Sequence, residues 1–459
     1  MSVSINRKIF GLCIMLALLL CATQIMGNTL FVLVCLAAYL LLLGWACIKD
    51  FTLPVLLFFL PWAQLLKMNP TSFSFYTFGL VLICGINLLK KTRFRKYHII
   101  IASALLAVTL FSKMLDASGL SFDYIAFLML VLLFPVVKDE WNAHQYDFYR
   151  LVFFFSAGVI LAALCAQEFA TYSNIARYIR VDAYLTVTRL SGFYSDSNFY
   201  TAQITAALGG ALVAILKETS KRRTTCLAVF LLMLLYCGLL SGSKSFIVIA
   251  TLLLVLWIIE VIKMRGRLVL KIGLLIGSLV AIALIATATF LSSLVDVFVT
   301  RLSASDNWSE FTTGRVDIWA TYLEELLSNE KLLLLGKGFS NINLNNRASH
   351  NTIIQCVYQF GLIGVPLMIA WSVYFFRDLP KMGKNRKAQC INTLLLLVGA
   401  LMPWLALDML FFDEFFLLQW YVFVALQQLR SEDSIYSLPR RNEMKTSEMV
   451  ARRKKRGTT

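Results

Sequence analysis

Apolar runs of bilayer-spanning length recur from one end of this chain to the other, and they leave it one compatible solvent. A membrane-crossing helix needs about 20 predominantly apolar residues. Candidate spans fall at 9–26, 29–48, 52–66, 72–89, 98–114, 121–137, 148–167, 198–216, 224–241, 245–262, 268–292, 351–376, 389–406 and 409–429. The third is short and carries Pro54 and Pro61, which predicts a broken or re-entrant segment, so the expected number is 12–14. Of the 459 residues, 59% are hydrophobic and only 15% charged. Soluble domains run at about 45–50% and about 25%. No water-soluble core hides that much apolar surface, so the fold class expected is an all-α, polytopic integral membrane protein.

The net charge is +17. In a soluble chain that would suggest nucleic acid. Here the bases sit in short segments between apolar runs: Arg7 and Lys8, then 90–96, 217–223, 263–271, 377–387 and 452–456. With the N-terminus inside, every dense basic cluster falls on the cytoplasmic face, as the positive-inside effect requires. Both termini are therefore expected on the cytoplasmic side of the membrane, and no nucleic acid is expected as a partner. The tail, 431–459, is polar and basic; it reads as disordered and close to anionic lipid. The ten cysteines lie in or beside apolar runs without a C-x-x-C, so neither a metal site nor a disulfide framework is indicated. The first apolar run lacks a small-residue cleavage site and is read as a retained span.

Two connections on the opposite, outer face are long. The organisation expected is an N-terminal bundle over 1–292 that includes an outer loop at 168–197, a large extracytoplasmic loop over 293–350, C-terminal spans over 351–430, and the tail. The first loop holds Arg177, Arg180 and Arg189, and Arg189 leads through Gly192 and Asp196 to Asn198 at the start of a span. Arginine on an outer face runs against the inside bias. A guanidinium grips phosphate oxygens bidentately, and the helix start adds anion-binding amides. The bland alternative is an ion pair with Asp182 or Asp196 that merely holds the loop.

In the second loop apolar residues recur at Val316, Trp319, Tyr322, Leu323, Leu326 and Leu327, which predicts an amphipathic helix lying on the membrane surface. Thr313 is its expected N-cap, Asp317 suits its first turn, and Arg315 at its positive end is more useful to a phosphate than to the helix. Gly336 and Gly338 flank Lys337 and permit close backbone approach, without the spacing of a phosphate-binding P-loop. The loop ends at Ser349, His350 and Asn351, where a span begins. Of three histidines, His350 alone is expected outside; the helix dipole there favours neutral imidazole, a general base for a hydroxyl, with simple helix capping as the alternative. Lys244, in a tight turn with Ser241, Gly242 and Ser243, either neutralises phosphate or snorkels. Asp408, with Asp413 and Glu414 nearby, is an acid at a depth where acids are costly.

These pieces, in this order, resemble the superfamily of O-antigen ligases and O-antigen polymerases: Arg189-x-x-Gly192 with Asp196 and Asn198, the turn ending in Lys244, Gly314-Arg315 with Trp319, Gly336-Lys337-Gly338, and His350-Asn351 ahead of Gln359-Phe360-Gly361. The likeness spans most of the chain and is strongest over 185–365. It implies a C-type glycosyltransferase-like fold and an undecaprenyl-diphosphate-linked glycan as donor. It implies no metal, nucleotide sugar or other cofactor. In that frame Arg189 and Arg315 hold the diphosphate and His350 activates or positions the acceptor hydroxyl. Arg177, Arg180, Asp196, Asn198, Lys244, Lys337, Asn351 and Asp408 are the candidate substrate-binding residues. Members often carry arginine where this chain has Lys244, and lysine loses the fork. A flippase and a chain-length regulator of the same pathway are candidate partners.

The function expected is polymerisation of lipid-linked repeat units into O-antigen, capsule or exopolysaccharide. An O-antigen ligase acting on lipid A–core shares the donor chemistry. A non-catalytic flippase would place its polar residues at mid-membrane and show internal repeats, and no clear repeat is present. The charge asymmetry makes a direct prediction. In a chain freed of its native cysteines, Glu324→Cys reacts with an impermeant maleimide applied to the periplasmic face, and Lys384→Cys reacts only once the membrane is opened. The reverse pattern overturns the orientation.

Overall fold

A computed structural model of the chain describes residues 3–90, 96–115, 122–140, 148–178, 190–194, 196–263, 314–338, 344–381, 386–410 and 412–437. The expected span at 268–292, the residues Arg180, Arg189 and Thr313, and the tail from 438 onward lie outside the described residues, whereas 431–437, expected as disordered tail, continue the last helix because the α-helical turns run on past the apolar run. The described residues form helices and their connections, without a strand. Among the described residues eight helices are long and apolar enough to cross a membrane, and four shorter apolar helices accompany them.

The chain runs through α1 (Val3–Met26), α2 (Thr29–Ile48), α3 (Thr52–Phe59), α4 (Phe75–Leu89), α5 (Lys96–Leu115), α6 (Phe122–Leu133), α7 (Phe148–Phe169) and the single turn α8 (Ser173–Ala176). It continues through α9 (Ser197–Lys217), α10 (Lys221–Leu240) and α11 (Lys244–Lys263). After the undescribed stretch come α12 (Arg315–Ser328), α13 (Glu330–Leu335), α14 (Thr352–Phe376), α15 (Arg386–Leu401) and α16 (Asp413–Ser437). Thirteen of the candidate spans thus coincide with described helices.

The bundle is layered by exposure. In α9, 94% of the membrane-length window is buried, so it is the central post, against which α7, α10, α11 and α15 pack. The peripheral helices instead expose large apolar side chains, among them Phe31, Leu41, Ile100 and Val373, as a lipid-facing surface does. Where α9 crosses α15 the backbones touch. A β-carbon on Gly209 would sit 2.7 Å from the Leu395 carbonyl oxygen, and Thr205 Oγ1 donates to Gly399 O at 2.9 Å. Small residues at a crossing replace the hydrophobic drive that lipid does not supply.

Two helices are broken, and each break is repaired by hydrogen bonds from outside the helix. The Pro54–Pro61 segment ends as a short 3-10 turn over Leu60–Trp62, too short as a helix to span. Tyr76 Oη donates to Leu56 O at 2.9 Å, Tyr194 Oη to Leu60 O at 3.0 Å, and Gln24 Nε2 to Leu65 O and Lys67 O at 3.0 and 2.9 Å. The second break is in α14 at Gly361, with φ 64° and ψ 179°. The carbonyls of Tyr358 and Gln359 accept instead from Lys337 N and Gly338 N, at 2.8 and 3.0 Å. Ser112 Oγ closes the joint on Gly336 O at 2.7 Å.

Gly336, at φ 72° and ψ −177°, and Gly361 both occupy backbone space that is essentially glycine's alone. They also face each other: a β-carbon on Gly336 would meet Gln359 and Gly361, and one on Gly361 would meet Leu334 and Gly336. The glycines of the 336–338 motif therefore do permit close approach, and their partner is the kink of α14. Gly361→Ala and Gly336→Ala are each expected to lower stability by about 2 kcal/mol or more, read as a lower unfolding midpoint in detergent. Gly85→Ala, where an added methyl meets open space, is the control expected to leave the midpoint in place.

Candidate functional site

Several described connections meet around the starts of α9 and α14. Asp196 caps α9: its Oδ1 accepts from Asn198 N at 2.7 Å and from Asn198 Nδ2 at 2.9 Å. Asn198 Oδ1 in turn accepts from Ser243 Oγ at 2.8 Å, which fixes the 241–243 turn beside the start of α9. Leu190 N donates to Leu240 O at 3.0 Å, so the end of the first long loop lies on the same turn.

α12 approaches from the other side. It is amphipathic as its spacing predicts, with Tyr322 and Leu326 buried and Leu323 and Leu327 exposed. Its cap is Gly314, in the left-handed region at φ 76°, in place of the expected Thr313. Two of its side chains hold the descending stretch of the loop. Trp319 Nε1 donates to Ser349 O at 2.9 Å, and Tyr322 Oη donates to Arg347 O at 2.7 Å. The Tyr322 ring meets Tyr358 of α14 edge-on, with centroids 4.9 Å apart. Arg315, a turn before Trp319, is thereby brought to the start of α14.

At that start the roles divide. Asn351, the N-cap, accepts from Ile353 N and Ile354 N at 2.9 and 3.2 Å and donates to Leu405 O at 3.2 Å. Thr352 Oγ1 donates to Leu407 O at 2.7 Å and accepts from Met409 N at 3.0 Å. The contacts to Leu405, Leu407 and Met409 clamp the 405–409 connection onto α14. The capping leaves His350 free of that work, because Asn351 does it. His350 is held at φ 49°, a left-handed conformation costing a non-glycine residue ~1–2 kcal/mol. Strain of that kind, enforced by surrounding contacts, gathers at functional positions.

The charges couple. Burial holds the His350 pKa below its ordinary value of 6.5; the Arg315 guanidinium pushes the same way, and Asp196 opposes both. Burial also lowers the pKa of Arg315, and Asp196 works against that. The three groups therefore lie within electrostatic reach of one another, although they come from three separate elements. His350 is accordingly neutral near neutral pH, as its place ahead of a helix suggests.

His350 and Asp408 open on a cavity of about 600 Å³. That is within the roughly 300–1,000 Å³ of small-molecule sites. Its floor is the end of the broken third span and the turn beyond it, including Gln64, Lys67 and Thr71. Tyr194, Asp413 and Glu414 form one wall, and Phe127, Phe199, Phe412 and Phe416 supply rings. Asp413 and Glu414 sit in the first turn of α16, where the dipole favours carboxylates. Glu414 Oε1 accepts from Tyr194 Oη at 2.6 Å and from Gln203 Nε2 at 2.9 Å; Asp413 Oδ2 accepts from Thr77 Oγ1 at 2.9 Å. Asp408, in the connection before α16, has its pKa pushed up to about 7 by burial, partly offset by a 3.3 Å hydrogen bond from Leu410 N.

Of the residues singled out from sequence, Arg315, Asp196 and His350 come together, with Asp408 on the same cavity as His350. Asn198 and Asn351 stand beside them with their side chains committed to helix ends. Lys244 begins α11 next to Ser243. Lys337 is held by its backbone at Tyr358, two turns along α14 from Asn351, and Arg177 has its guanidinium 5.2 Å from the Tyr178 ring centroid. Neither lines the cavity. Lys67, Gln64, Thr77 and Tyr194 escaped sequence reasoning; the signal available was the broken third span, at whose end Gln64 and Lys67 lie. No protein-family model matches this chain, and no curated protein matches it.

The coupling predicts opposite shifts from two substitutions. With ring-labelled histidine, the His350 resonance is expected to titrate below 6.5. Arg315→Gln removes a like charge and moves the midpoint up; Asp196→Asn removes the opposing charge and moves it down. Because the folded pKa is the lower one, this group's contribution to stability is whole above about 6.5 and is lost as pH falls through the folded value. A midpoint unmoved by Arg315→Gln dissolves the cluster.

Proposed function

We propose that the protein is a glycosyltransferase of the polysaccharide polymerase type, working at the outer face of the bacterial cytoplasmic membrane on an undecaprenyl-diphosphate-linked glycan. The observation that carries the reading is the electrostatic coupling of Arg315, Asp196 and a neutral His350, with His350 lining a cavity. The resemblance of the motifs adds Arg189 to the same role as Arg315. The basic clusters, which fall at the opposite ends of the apolar runs, support a cavity that faces away from the cytoplasm.

The chemistry follows from those groups. The anomeric carbon of the donor sugar parts from a diphosphate, which is already a good leaving group. The transition state gathers negative charge on the phosphate oxygens, and Arg315 in a water-poor setting stabilises it. The acceptor hydroxyl must lose its proton as the new glycosidic bond forms. His350 is neutral and basic there and takes that proton. Asp196 keeps Arg315 charged and favours the imidazolium that results. A single displacement inverts the anomeric centre, so retention of configuration in the product overturns that step. Chain growth repeats the reaction with a lipid-linked repeat as acceptor. In the ligase reading the acceptor is lipid A–core.

The decisive test supplies purified protein with the lipid-diphosphate repeat unit alone and resolves the products on a gel. A ladder is expected from wild type, with His350→Ala, Arg315→Ala and Arg189→Ala each reducing transfer by about 10²-fold or more. Transfer that waits for lipid A–core identifies a ligase. Absence of transfer in both assays, with lipid moved across liposomes, defeats the enzyme reading in favour of a flippase.

A further inference from the structure

The cavity beside His350 has a charge pattern that the transfer reaction does not require. Three carboxylates line it, from Asp408, Asp413 and Glu414, and Lys67 is the one lysine or arginine among its lining residues. Lys67 Nζ donates to Gln64 Oε1 at 2.8 Å, and its charge acts on Asp413 and Glu414. Among the described residues no three His, Cys, Asp or Glu side chains are arranged to hold a metal ion, so the carboxylates face the space as separate acceptors.

Asp408 is the most informative of them. It is only 7% exposed, yet its one hydrogen bond among the described residues is a long one, from Leu410 N to Oδ1. The carboxyl opens on the cavity, and the cavity is where a further donor would come from. Hydroxyls at Thr71, Ser72 and Ser74 and the rings of Phe127 and Phe412 complete the lining. Acceptors, a few hydroxyls and flat apolar faces suit a ring that donates from one edge and is apolar on the other side. Such a ring is a sugar.

We propose, resting on the glycosyl-transfer reading, that this cavity binds the acceptor sugar and selects a neutral or amino-bearing ring over an acidic one. A hydroxyl, N-acyl or ammonium group donates to Asp408 and Asp413. A uronate or a phosphorylated sugar brings a further acid against three carboxyl groups that outnumber the one lysine on the lining. The anionic part of the substrates, the diphosphate, is held instead at Arg315. The two ends of the site thereby sort donor from acceptor by charge.

The test is binding, measured apart from turnover. Purified full-length protein in detergent is titrated by saturation-transfer NMR with methyl N-acetylglucosaminide, methyl glucosaminide and methyl glucuronide. The first two are expected to bind, with the glucuronide about tenfold weaker or more. Asp408→Asn is expected to narrow that gap to a few-fold, and Thr352→Val, which frees the connection carrying Asp408, to weaken the neutral glycosides. Glucuronide binding as tight as the neutral glycosides in wild type overturns the proposal, as does binding of none of the three. Because no donor lipid is present, the preference stands or falls separately from the transfer assay.

Discussion

A backbone carbonyl in lipid has no water to fall back on, and the rest of this molecule is arranged around that fact. An unbroken helix satisfies its own groups, so most of the bundle needs nothing further. The two breaks, after α3 and within α14, release carbonyls that must be met by other elements. Tyr76, Tyr194 and Gln24 meet those of the third span, and the 336–338 backbone meets those of Tyr358 and Gln359. Each repair ties a distant segment to the break. The site is built of the segments so tied. Tyr194 serves the Leu60 carbonyl and the Glu414 carboxylate together, and the 336–338 joint anchors the connection that ends in His350.

The same constraint explains why charged groups survive at this end of the bundle. A buried ion is expensive alone and tolerable in company. Arg315 has Asp196 within reach, Asp196 is held by Asn198 and the α9 amides, and Lys67 answers Asp413 and Glu414. His350 escapes the cost by staying neutral, which is also the state a base must be in. Placing a guanidinium near a histidine would be a poor way to make a cation, and a sound way to keep a base.

Sequence made the apolar helices legible because a bilayer imposes length and polarity on every crossing: thirteen apolar runs from 9–26 to 409–429 fall on described helices, and eight described helices are long and apolar enough to cross. It marked the third span as irregular from Pro54 and Pro61. It found Arg315, Asp196 and His350, because arginines on an outer face and a histidine ahead of a helix are uncommon enough to notice. It saw that Gly336 and Gly338 allow close approach, and left the partner open, since pairing with Tyr358 and Gln359 is a tertiary event with no local trace. The cavity floor was out of reach for a similar reason. Lys67, Gln64 and Thr77 are ordinary polar residues, and only the fold brings them opposite Asp413. The start of α9 shifted from Asn198 to a cap at Asp196, a difference of chain geometry that composition does not carry.

In the proposed reaction donor and acceptor carry the same lipid diphosphate, which poses an ordering problem at the membrane surface. Affinity for diphosphate alone would let either substrate occupy either place. On the proposed assignment, Arg315 and the carboxyl groups of the cavity break that symmetry, because a neutral sugar suits the cavity and a phosphate does not. His350 lines the cavity and is coupled to Arg315, so in that proposal the acceptor hydroxyl and the donor carbon meet beside it. Geometry of this kind lets a single site admit two similar molecules in different orientations, and the repeat of that arrangement is what a growing chain requires.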